Sequence, residues 1–219
     1  KTDQPLATIN TKRRMAPKYK LTYFNGIGAA EPLRFLLSYM GEDFEDVRVD
    51  FADWQNKKST TPFGKLPYLE VDGKILTQSI AIARYLGKKA GLAGKDDWEN
   101  VQIDIIADTI VDMRLPISTF LMERDADKKK TLKEAYMKDT ASFYLKKLDT
   151  IVKDNGGYLA NKKLSWADFV FTALMDFVSI ACDVSDITAD YPNLLALRKK
   201  ILSLPQIKKW VEKRPKTSF

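Results

Sequence analysis

A tyrosine beside a glycine turn, a proline at a strand entrance, a Gln-Ser pair at a helix start and a ladder of three aspartates are where this chain can do chemistry. Tyr23 ends a short alternating run just before Asn25-Gly26-Ile27-Gly28; its hydroxyl either faces a cleft or joins the core. In Thr61-Pro62-Phe63-Gly64-Lys65-Leu66-Pro67 the proline has no N–H to give and can take the cis peptide. The amide and carbonyl of Leu66 would then lie open at a sheet edge, ready to pair with an extended peptide. An ordinary loop entering a strand is the competing reading. Gln78-Ser79 opens a helical pattern whose free amides and dipole suit a carboxylate, or else Ser79 is a plain N-cap. Asp104, Asp108 and Asp112 recur every four residues, so they stack on one helix face. Like charges at that spacing repel, so the face is either solvated or met by a cation, and a metal site there would lack further ligands.

Other chemistries are excluded by what is absent. The sequence has no histidine, which removes serine triads, papain-like pairs and most zinc centres. A single cysteine, Cys182 among apolar neighbours, leaves no intrachain disulfide, C-x-x-C motif or thiolate cluster. Gly26-Ile27-Gly28-Ala29-Ala30-Glu31 imitates a dinucleotide fingerprint, but Glu31 stands where close helix packing needs Gly or Ala. The net charge of +7 suggests nucleic acid, yet five of those charges fall in the first twenty residues. No basic stripe interleaved with aromatics follows, so no nucleic-acid partner is expected. Nor is there a long apolar run, so no membrane span is expected, and a soluble, cytoplasmic protein is.

The elements that must position these residues are legible as periods. Residues 1–18 carry none and read as a disordered arm; Met15-Ala16-Pro17 resembles an ordinary start, with residues 1–14 an upstream alternative start or an appended tag. Tyr19 to Tyr23 alternates as a strand, and Pro32, Leu33, Leu36, Leu37 and Met40 describe a helix capped by Gly41. Residues 44–50 form a second strand, followed by a loop with Trp54 and Lys58. Leu66–Val71 and Lys74–Thr77 flank Asp72-Gly73, a hairpin signal that makes those strands antiparallel. A helix then runs from Ser79 through Leu86, and glycines at 87, 91 and 94 mark a linker. Beyond Asp96 only helical periods remain, at roughly 97–123, 129–154, 165–181, 191–202 and 204–213, with Ser165 and Asp168 forming a capping box. The expected division is 19–94 for an α/β domain and 95–219 for an all-helical one.

YKLTYFN, STTPFGKLPYLEVDG, QSIAIARYL, IDIIADTIVD, SWADF and the closing W-x-x-K-R-P together resemble the glutathione transferase family, over about residues 18–219. The resemblance is to the sigma class, which includes insect enzymes and haematopoietic prostaglandin D synthase. It implies a thioredoxin-like glutathione-binding domain followed by an all-α domain. It also implies a homodimeric detoxification enzyme that joins glutathione, its co-substrate, to small-molecule electrophiles such as lipid-peroxidation aldehydes, with peroxidase activity as a further option. Tyr23 resembles the catalytic tyrosine, and Trp54, Lys58 and Lys65 resemble the groups that hold the glycine end. Leu66, before Pro67, would pair with the cysteinyl segment. Gln78 and Ser79 resemble the γ-glutamyl carboxylate binders, and Asp112 the residue reaching the γ-glutamyl amine of the neighbouring subunit. Phe24, Gly28, Ala29 and Arg114 would line the electrophile pocket. Ala29 departs from an arginine common in the class, and Thr119 from the tryptophan of the prostaglandin enzyme. A crystallin-like binding protein and a prostaglandin isomerase are the alternatives.

Overall fold

The computed structural model describes residues 18–217, so residues 1–17 of the arm expected over 1–18 lie outside the described residues, while Lys18 is bonded to Asp72 at the hairpin. Strand β1 (Tyr19–Phe24) is followed by helix α1 (Glu31–Tyr39), strand β2 (Phe44–Val49), helix α2 (Phe51–Lys57), the hairpin β3 (Tyr68–Val71) and β4 (Lys74–Thr77), and helix α3 (Ser79–Lys89). The sheet order is β2-β1-β3-β4. β1 and β2 are parallel, as a crossover through α1 allows, and the other two pairings are antiparallel. Asp72 and Gly73 both take positive φ, 50° and 78°, the two left-handed positions that a tight hairpin demands.

α1 ends as its sequence dictates. Gly41, at φ 71°, lets its own N–H reach Ser38 O at 3.0 Å and that of Glu42 reach Leu37 O at 3.1 Å, the paired bonds of a Schellman cap. The segment read as a loop after β2 contains α2 instead. That short helix has no buried residue, so no apolar period announces it. It is tied down by rings: Phe51 stacks on Phe24 at 4.4 Å between centroids, and Trp54 meets Phe24 edge-on at 5.2 Å.

Among the described residues no strand follows Thr77. The helices are α4 (Asp97–Arg114), α5 (Ile117–Leu121), α6 (Ala126–Ala135), α7 (Ser142–Asp154), α8 (Trp166–Ala181), α9 (Pro192–Leu202) and α10 (Pro205–Lys213). The single helix expected over 97–123 is therefore broken at Leu115-Pro116, because Pro116 has no N–H to continue the ladder. α6 and α7 join through a wide π-type turn at Tyr136–Ala141. α8 is apolar almost all round and runs through the core, as a helix without a polar face must. The capping box is present at its start: Asp168 Oδ2 accepts from Ser165 N–H at 2.7 Å and Oδ1 from Leu159 N–H at 2.9 Å.

Gly87 is not a linker residue. It lies inside α3 against α8, where a Cβ would stand 2.6 Å from three side-chain atoms of Trp166. Gly94 likewise fits where a Cβ would meet the backbone of Glu99 and Asn100 at 2.6 and 2.5 Å. The two halves are further joined by an alternating run of charges: Asp186, Arg198, Asp176, Arg214, Glu31, Arg34, Asp46 and Arg48, each paired with the next.

Candidate active site

The turn after β1 is shaped around Tyr23. Gly28 sits at φ 39°, and a Cβ on it would lie 2.6 Å from the Tyr23 hydroxyl. With that side chain missing, the chain folds back until the Ala29 N–H donates to Tyr23 Oη at 3.2 Å. A donor aimed at the phenol oxygen polarises the hydroxyl and so strengthens its O–H as a donor in turn. The amide therefore supports the hydroxyl where the sequence lacks an arginine.

Ala29 also lines a cleft of about 310 Å³ whose other walls include Lys65, Leu66, Pro67, Gln78, Ser79 and Arg114. The Leu66-Pro67 peptide is cis. Leu66 lies just outside the β1–β3 ladder, which ends with Thr22 opposite Tyr68. Gln78 adopts φ 66°, ψ 107°, a conformation costing on the order of 1–3 kcal/mol for a residue with a side chain. It is the N-cap of α3 and supplies no side-chain cap, so Ser79 falls in the first helical turn and is not the capping residue. Amides of that turn and the positive end of the helix dipole thus stand beside the cleft.

Other expected residues are not among the lining of this cleft: Tyr23 and Gly28 reach it only through the neighbouring Ala29, and Phe24, Trp54, Lys58 and Asp112 lie elsewhere. Trp54 and Lys58 are on and after α2, the lysine stem resting on Gly64. Phe24 is engaged in the ring cluster with Phe51, Trp54 and Tyr23, the last at 5.5 Å. Asp112 is exposed on α4, and of the three stacked aspartates it is Asp104 that meets a cation, Arg84 Nε at 2.7 Å. No group of three or more potential metal-ligating side chains occurs among the described residues.

Several lining residues escaped the sequence reading. Val111 and Leu115 share the face of Arg114 at helical spacing, a period that could have found them. Phe63, 83% exposed at φ 53°, carried no signal of its own.

The cis proline stands immediately before β3, an inner strand, so Leu66 lies at the end of the sheet and not on an edge strand. A four-stranded mixed sheet with that cis proline, carrying a helical half behind it, defines the thioredoxin-like class with an all-α extension. The glutathione S-transferase N-terminal domain model matches residues 19–88, and the C-terminal domain model of the same family matches residues 111–214. The chain belongs to the glutathione S-transferase family. It is 43% identical over 199 residues to glutathione S-transferase S1 of Drosophila melanogaster, covering 91% of this chain and 80% of that one. It is equally 43% identical over 204 residues to hematopoietic prostaglandin D synthase of Gallus gallus, covering 93% and 100%. Among solved structures, prostaglandin synthase D of Nilaparvata lugens superposes with a TM-score of 0.87 at 50% identity, over 91% of this chain and all of that one.

Proposed function

We propose that the chain is a sigma-class glutathione transferase in which Tyr23 donates a hydrogen bond to the sulfur of bound glutathione and holds it as thiolate. The observation that carries this reading is the Tyr23 hydroxyl gripped by the Ala29 amide beside the cleft. A thiol of ordinary pKa is only a few per cent ionised at neutral pH. A hydrogen bond to the charged sulfur, worth about 1.5–3 kcal/mol, lowers its pKa by roughly one to two units.

Each part of the tripeptide finds a complement. The γ-glutamyl carboxylate takes the α3 amides with Gln78 and Ser79, the cysteinyl backbone pairs with Leu66 beside Pro67, and the glycine carboxylate meets Lys65, Lys58 and Trp54. Asp112, exposed and acidic, reaches the γ-glutamyl amine of a second subunit, which makes the working form a homodimer. Residues 19–94 then bind glutathione and 95–219 supply the electrophile side, with Gly28, Ala29, Arg114 and, behind its ring cluster, Phe24. The substrates are small electrophiles such as lipid-peroxidation aldehydes. A cytoplasmic setting agrees with the absence, among the described residues, of any helix long and apolar enough to cross a membrane.

A prostaglandin isomerase is the second reading, favoured by the relatives that carry that name; it would use the same thiolate on an endoperoxide. The purified chain is to be assayed with glutathione against an unsaturated aldehyde, an organic hydroperoxide and a prostaglandin endoperoxide, alongside Tyr23→Phe. Tyr23→Phe is expected to keep glutathione affinity and lose roughly 8- to 25-fold in neutral-pH conjugation, the change in thiolate fraction for that shift; wild-type turnover in that variant removes Tyr23 from the mechanism.

A further inference from the structure

Glu31, the first residue of α1, is fully buried two positions beyond Ala29. A buried carboxylate is tolerated only when its oxygens are compensated. Its Oε2 accepts from Arg34 Nη1 at 3.0 Å, while Oε1 accepts from Trp210 Nε1 at 2.8 Å and from Arg214 Nη1 at 2.9 Å. The last two donors belong to the closing W-x-x-K-R-P segment at the far end of the chain, and neither lines the cleft.

Arg34 carries the connection forward. The same Nη1 that meets Glu31 donates to the carbonyl of Gly26 at 2.7 Å, and Nε is held by Asp46 at 2.9 Å. Gly26 is otherwise fixed by its own N–H to Phe24 O, and the next-door Asn25 N–H by Val49 O. It opens the turn that delivers the Ala29 amide to Tyr23. Arg34 Nη2 is buried without a partner, so the guanidinium has a donor to turn toward any acceptor that becomes free. If Glu31 loses its donors from the C-terminal segment, Arg34 is its remaining cation. The guanidinium is then drawn toward the carboxylate and away from Gly26. The surrounding carboxylates are shared along the same run, Asp46 between Arg34 and Arg48 and Asp176 between Arg198 and Arg214.

We propose that Trp210 and Arg214 are positioning residues for the thiolate chemistry, acting through Glu31 and Arg34 on the turn that holds the Tyr23 hydroxyl. The proposal rests on the reading of Tyr23 as the donor to sulfur. It is tested on the full chain with Trp210→Phe, which keeps a ring against Phe44 and deletes one N–H, and with Arg214→Lys, which keeps a cation beside Glu31. Steady-state kinetics with a chromogenic electrophile across pH are combined with ultraviolet titration of the bound thiolate.

Trp210→Phe is expected to leave the KM for glutathione unchanged and lower kcat/KM at neutral pH by about three- to thirtyfold. The thiol titration midpoint moves to higher pH, and the deficit closes under alkaline conditions. Arg214→Lys shifts the midpoint the same way by less, and Trp210→Phe adds nothing in a Tyr23→Phe background. Folded variants with a wild-type midpoint overturn the proposal, as does a joint fall of glutathione binding and turnover with the midpoint unmoved. Tyr23→Phe separates the two ideas: a wild-type midpoint there defeats the Tyr23 reading, whereas a shifted one beside an unshifted Trp210→Phe defeats only the positioning role.

Discussion

At Tyr23 the decisive partner is a backbone group. The residue type at position 29 suggests a weakened site, because alanine offers no cation, yet its amide reaches the phenol oxygen at 3.2 Å. A sequence displays side chains and hides such amides, so this contact was not legible. Gly28 can be argued more directly from its geometry. Gly28→Ala places a methyl 2.6 Å from the Tyr23 oxygen on a backbone already at φ 39°, so the hydroxyl must move off the Ala29 amide. Conjugation should fall by about tenfold or more, displacements on the ångström scale being enough for that. The bound thiol should titrate at higher pH, which ultraviolet titration with glutathione present will read.

Elements whose causes are local were readable in advance. The Asp72-Gly73 hairpin, the Gly41 cap and the Ser165–Asp168 capping box each depend on residues within a few positions of one another, and each is present. Two misreadings came from a partner distant in sequence and from an element without an apolar period, whereas the break at Pro116 had a local cause that the apolar period running past it concealed. Gly87 resembles loop punctuation until Trp166 is placed against it, and α2 buries nothing that would mark it as a helix. Gly87→Ala is expected to destabilise by about 1–3 kcal/mol, since the buried indole leaves no room for a methyl. Differential scanning calorimetry should record a Tm lower by about 2–12 °C, with glutathione affinity of the folded protein retained. An unchanged Tm would mean that α3 and α8 separate easily.

For the whole molecule, the acid side of the stability profile should carry the mark of Asp168. Burial pushes its carboxyl up to about 6, from an ordinary 3.8, despite the bonds from Leu159 and Ser165 that oppose the shift. A raised folded-state value means that the native protein holds this proton longer than the unfolded chain does. Its stabilising contribution is complete below about pH 4 and is lost as pH rises through about 6, on the order of 3 kcal/mol in all. Urea unfolding at successive pH values should show that slope between pH 4 and 6, and Asp168→Asn should remove it. The bare exterior of α2 has a different consequence. A helix anchored by a few stacked rings opens at lower cost than one packed in the core, and an open segment is a substrate for proteolysis. If the glycine end of glutathione meets Trp54 and Lys58 as proposed, filling the neighbouring cleft would pin that segment, by an amount that grows with glutathione concentration. The lifetime of the protein in a cell would then follow the supply of its own co-substrate, and depletion of the thiol pool would lower the number of molecules as well as the turnover of each.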